Sequence, residues 1–138
     1  MKLNKMDVAR RQLAVAIELF LADGDLISII TLAGAAEEIF GKIALKADKE
    51  NSLGFMVRTH KALGSTTTEK ELIKHANLVR NALKHANDEG DEEIEFDERQ
   101  EAISMLSRAL TNYFRVSIGD ALPLMEKVYK HIHRVEDA

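Results

Sequence analysis

Cysteine and tryptophan are absent from this 138-residue chain, and proline occurs once. Without thiols there is no disulfide framework, no cysteine nucleophile and no thiolate metal site. One proline and seven glycines are too few for a loop-rich β fold. Five Phe and two Tyr leave little material for stacking unpaired bases. No Gly-rich phosphate loop, HExxH helix, EF-hand loop or Gly-x-Ser-x-Gly elbow occurs, and the paired Glu-x-x-His motifs of di-iron bundles are missing. His131 and His133 stand two apart, so they diverge on a helix, and neither a metal nor a cofactor is expected. The apolar stretch from Leu26 to Ala36 is too short to span a bilayer and stops at Glu37 and Glu38. The run from Leu13 to Ala22 is interrupted by Glu18 and has no clean cleavage site after it. A cytoplasmic protein without membrane contact is the expectation.

Apolar residues make up 46% of the chain, enough for the core of a single domain over residues 1–138 that buries about two thirds of its unfolded surface. The net charge of −4 conceals an asymmetry. Asp88 to Glu98 holds eight acids and no base; the rest of the chain has 15 acids against 19 bases, or +4. Such a run is a solvated acidic loop or a gate that repels stray polyanions from a basic site.

The apolar spacing predicts an all-α, antiparallel bundle of five to six helices. Asn4 to Ala22 buries Met6, Ala9, Leu13, Ile17 and Phe20. Leu26 to Lys46, capped by Asp25, is apolar almost all round in its first half and is expected at the centre. Gly34 in its middle gives up about 1 kcal/mol of helix propensity relative to Ala, which suits a close approach by another element. Glu37 and Glu38 follow, either turned to the polar side and pairing with Lys42 or orienting Arg80 or His85 from a neighbouring helix. A short third helix runs from Ser52 to Leu63 and stops at Gly64. Asp97 and Gln100 open a fifth helix, which ends at Gly119; Asp120 caps a sixth, with Pro123 in its first turn. Lys127, Lys130, His131, His133 and Arg134 crowd the end of that last helix, where they suit its dipole or a phosphate.

The stretch Thr68 to Asn87 reads as one continuous fourth helix. Thr68 and Glu71 form a capping box, and Leu72, Ala76, Val79, Leu83 and Ala86 make a buried stripe. Asn81 and His85 lie one turn apart on the opposite face, with Leu78 beside them. Arg80 falls about 140° from His85 on a wheel of 100° per residue, so one helix does not aim both groups at one point. A second copy of the helix closes that gap, and an apolar Leu78 on a cationic face suits such a seam.

Arg80-Asn81-Ala-Leu-Lys-His85 resembles the Arg-x(4–6)-His signature of HEPN domains, with the polar residue after the Arg that this family often carries. The helix-two stretch LAGAAEEIF is similar to these small bundles as well. The resemblance implies a metal-independent endoribonuclease, a toxin or defence component, with its active site shared between two protomers. Arg80, Asn81 and His85 are then the catalytic candidates; Lys74, Lys84, Glu37 and Glu38 are the substrate-binding ones. The expected partners are a second copy, RNA and a separate antitoxin or partner chain. Imidazole moves protons near neutral pH, and guanidinium holds a phosphate through paired hydrogen bonds. Two alternatives stand beside it: a non-catalytic HEPN-like module for a nucleotide or protein, and an unrelated helical adaptor.

Overall fold

The structure, a computed structural model, describes residues 1–85 and 92–134. These residues form seven helices and no strand. Helix α1 (Lys5–Leu21) starts where the Asn4 side chain accepts from the Met6 amide, and α2 (Leu26–Lys46) where Asp25 accepts from Ser28. Helix α3 (Ser52–Ala62) is capped by Asn51 and ends before Gly64, which sits at φ +90. Helices α4 (Glu69–Ala76) and α5 (Leu78–Ala82) follow, then α6 (Glu98–Val116) and α7 (Ile118–His133). The acidic residues 88–91 and Ala86 of the expected stripe lie outside the described residues. Among the described residues no helix is long and apolar enough to cross a membrane.

Helix α2 is the centre, as its all-round apolarity predicts, packed chiefly against α1 and α6. Ile29, Ile30, Ala33, Ala36 and Phe40 join Leu13, Ile17 and Phe20 of α1 and Met105, Leu106 and Leu110 of α6 in one core. Phe40 stacks on Tyr113 with ring centroids 4.5 Å apart. Each fully buried large side chain of this kind stabilises the fold by about 1.5–3 kcal/mol.

The up-and-down alternation expected of an antiparallel bundle does not hold throughout. Ile29 and Arg99, at the starts of α2 and α6, line one small cavity, Glu37 meets Arg108 midway, and Phe40 meets Tyr113 further on. The central pair α2 and α6 therefore runs in the same direction, while each pairs with an oppositely directed neighbour. Arg10 of α1 reaches Tyr113 and Asp120 at one end, and Phe20 meets His131 at the other. The bundle is antiparallel within each hairpin and parallel between hairpins.

Three expected boundaries move. The break between α6 and α7 falls at Ser117, and Gly119 and Asp120 lie inside α7. The Ser117 hydroxyl donates to Asp120 at 2.6 Å, so Asp120 supports the junction from within the first turn. Pro123 consequently lies one turn deeper than expected and withholds the N–H that the Gly119 carbonyl would take; both residues are exposed, so water can serve that carbonyl. The largest change is in the fourth helix, which is cut in two at Asn77.

Candidate functional site

On α2, Gly34, Glu37 and Gly41 lie on one face, three and four residues apart. Glu37 is buried, yet it is met from three directions. Arg80 of α5 donates to one carboxylate oxygen at 2.8 Å; Arg108 of α6 donates to the other at 3.2 Å. The Asn112 amide donates to the Glu37 backbone carbonyl at 3.0 Å, while its own oxygen accepts from the Ser52 amide at the start of α3. The Arg108 guanidinium also donates to the Ala76 carbonyl at 3.0 Å and the Asn77 side chain at 2.7 Å. A single carboxylate thus links α2, α5 and α6, and Arg108 extends the link to the α4–α5 junction.

At both glycines an added Cβ would press on one of these polar side chains. A Cβ on Gly34 would stand 2.6 Å from Cδ and 2.9 Å from Cγ of Arg80, whose stem lies flat on the helix there. A Cβ on Gly41 would stand 3.0 Å from the Asn112 amide nitrogen. Close packing at Gly34 was expected; the partner is a side-chain stem. Gly34→Ala is expected to lower the melting temperature, because overpacking of about 1–3 kcal/mol outweighs the roughly 1 kcal/mol of helix propensity that Ala adds. In an Arg80→Ala background, where the stem is gone, the same change should raise it. Thermal melts of the four proteins check that reversal.

The cluster places two guanidiniums on one carboxylate, an excess of one positive charge in a buried setting. The Nε groups of Arg80 and Arg108 are buried without hydrogen-bond partners. A cleft of about 320 Å³ between α2, α3 and α4 reaches this cluster at Glu37, Asn77 and Arg80.

The residues expected to act together separate. Arg80 is only 7% exposed and turned inward to Glu37, whereas the wheel sets it between the polar face and the core edge. Its ion pair with Glu37 at 2.8 Å holds the guanidinium on the α2 face. Asn81, Lys84 and His85 are exposed, as is Leu78 at 53%. Helix α5 ends at Ala82, so His85 lies beyond its last turn and does not stack on Asn81 as a helical neighbour. Lys74 is exposed on α4, and Glu38 pairs with Lys42 at 3.3 Å. Of the two carboxylates on α2, Glu37 orients Arg80 and Glu38 takes the local ion pair.

Sequence reasoning missed Asn77, Arg108 and Asn112. A signal existed: Arg108 and Asn112 sit one turn apart beside the Leu106 and Leu110 stripe, and Glu37 stands in an otherwise buried run between two glycines. Buried polar groups of that kind require partners.

A second polar cluster holds the far end of the bundle. Asp23, in the α1–α2 turn at φ 53, lies 2.9 Å from His131 Nε2 and accepts from Arg134. His131 is buried edge-on against Phe20. The expected cationic cluster therefore separates, with His131 and Arg134 committed to Asp23. The hydrogen bonds from His131 and then Arg134 hold the Asp23 carboxyl below its ordinary pKa. A depressed folded value stabilises above the unfolded pKa and is lost as pH falls through the folded one. Asp23→Asn is therefore expected to lower the melting temperature near pH 6, with the gap to wild type closing below about pH 4. A gap independent of pH would exclude that linkage.

Compared with protein-family models, curated proteins and solved structures, the chain finds no match.

Proposed function

We propose that the chain is a metal-independent endoribonuclease of the HEPN type, a toxin or defence component whose active site is composed where two copies meet. The observation that carries this reading is the division of labour within one short segment. Arg80 anchors α5 to the buried Glu37, while Asn81, Lys84 and His85 stand in solvent with the apolar Leu78 beside them. Leu78 on two copies supplies a seam, and a two-fold axis brings two imidazoles to one phosphodiester.

One His85 accepts the proton of the ribose 2′-hydroxyl as that oxygen attacks phosphorus. The P–O5′ bond breaks, and the protonated His85 of the second copy donates to the departing O5′. The products are a 2′,3′-cyclic phosphate and a 5′-hydroxyl, with no net proton change. Lys84, Lys74 and the Asn81 amide contact phosphate; Arg80, bound to Glu37, sets the geometry of α5 and adds positive potential. The test is RNA incubated with the protein in EDTA, with the ends of the fragments identified. Cleavage that requires a divalent cation, or a monomer at working concentration, overturns the proposal.

A second reading has one observation in its favour. Arg80 is already committed to Glu37, so the segment also suits a non-catalytic HEPN-like module that binds a nucleotide or protein. Nucleotide-induced thermal stabilisation of a dimer that leaves RNA intact would select it.

A further inference from the structure

We infer that Arg108 is a positioning residue for the α5 surface: it holds the chain broken at Asn77, turning Arg80 inward and leaving Asn81, Lys84 and His85 outward. Its effect on turnover rests on the ribonuclease reading; its effect on the backbone does not.

The local sequence favours a continuous helix. The Thr68 N-cap is formed, with the Glu71 amide donating to the Thr68 hydroxyl at 3.2 Å, and the apolar period runs through the break unchanged. Asn77 sits at φ −99 and ψ 5, in the sparsely populated bridge region outside the α range, so the dihedrals of one residue separate the broken helix from a continuous one. The break is held from outside. The Ala76 carbonyl, which a continuous helix offers to the Arg80 backbone N–H, accepts from Arg108 instead, and the Asn77 oxygen accepts from the same guanidinium. The third bond, to Glu37, fixes Arg108 to the carboxylate that receives Arg80. A planar guanidinium can serve these three acceptors together, and a lysine ammonium on a different stem cannot match that geometry.

Arg108→Met leaves Glu37 paired one-to-one with Arg80, so the buried charge becomes balanced and the variant is expected to fold. Its α4 and α5 should fuse. The backbone N–H groups of Val79 and Arg80, in the first turn of α5, would then gain helix acceptors, and their hydrogen exchange should slow by about tenfold. RNA turnover should fall by about 10–100-fold in kcat with KM unchanged, the size of effect expected when a reacting group is displaced by about 1 Å. Arg108→Lys should regain melting temperature but not kcat, which a purely structural role would not produce. Asn77→Ala, which keeps both Glu37 pairs, supplies the same exchange readout if Arg108→Met fails to fold. Unchanged exchange at Val79 and Arg80 in a folded variant overturns the inference. Absence of cleavage by the wild-type protein overturns the ribonuclease reading instead, and exchange then decides the role of Arg108 alone.

Discussion

Glu37→Ala is expected to lower the unfolding free energy by about 3–5 kcal/mol, the penalty for removing one partner from a buried ion pair. The substitution strips the carboxylate from two guanidiniums whose side chains are 8% and 15% exposed. Neither reaches bulk water easily, and among the described residues Glu37 is the carboxylate that pairs with both. Two like charges are then left facing each other beside Asn112. Domains of this size are stable by about 5–15 kcal/mol, so the loss is a large share of the total. Urea unfolding measures it directly. The combined Glu37→Leu, Arg80→Met and Arg108→Met variant should be more stable than Glu37→Ala, because apolar residues of similar volume replace a buried triad at little or no loss. A deficit below about 1 kcal/mol for Glu37→Ala would mean that the guanidiniums find water or other acceptors, and that α5 is not anchored through this carboxylate.

The second large effect is on turnover. His85→Ala should reduce RNA cleavage by about 10²–10⁴-fold, the contribution of a positioned acid or base. Because His85 is exposed, its loss should change stability by less than about 0.5 kcal/mol. Mixing wild type with His85→Ala gives the sharper test. If one imidazole from each copy is required, mixed dimers are inactive, and activity falls with the square of the wild-type fraction. A linear fall assigns both proton transfers to one protomer. Wild-type activity retained in His85→Ala removes His85 from the mechanism.

Helix positions set by local chemistry were legible in the sequence. Leu26–Lys46 has the predicted bounds because Asp25 caps it and its apolar run has nowhere to go but the centre. Asp97 opens α6 as its spacing to Gln100 predicts. The Arg80 orientation was not legible, because it depends on Arg108, 31 residues beyond Asn77, reaching across from another helix. Propensity and period both favour an unbroken helix through Asn77, and three tertiary bonds overrule them. The same holds at Ser117: Gly119 resembles a helix stop, yet the chain turns two residues earlier, where the Ser117 hydroxyl meets Asp120. The exposure of Asn81 and His85 was readable from the wheel, since both fall opposite the stripe; the loss of helical stacking between them was not.

The shared direction of α2 and α6 also bears on the order in which the molecule assembles. After Lys46 the chain must travel back along the bundle before Glu98 can start down it again, so Glu37 and Arg108 meet across 71 positions. Closing so long a loop is slow but adds little entropy per extra residue. The two hairpins can form early from local contacts, and their docking sets the rate. The returning segment α3–α5 buries few apolar groups of its own, with none fully buried in α4. It is thus suited to settle last on a finished four-helix frame, held there by the Arg80–Glu37 pair and the Arg108 bonds more than by apolar burial.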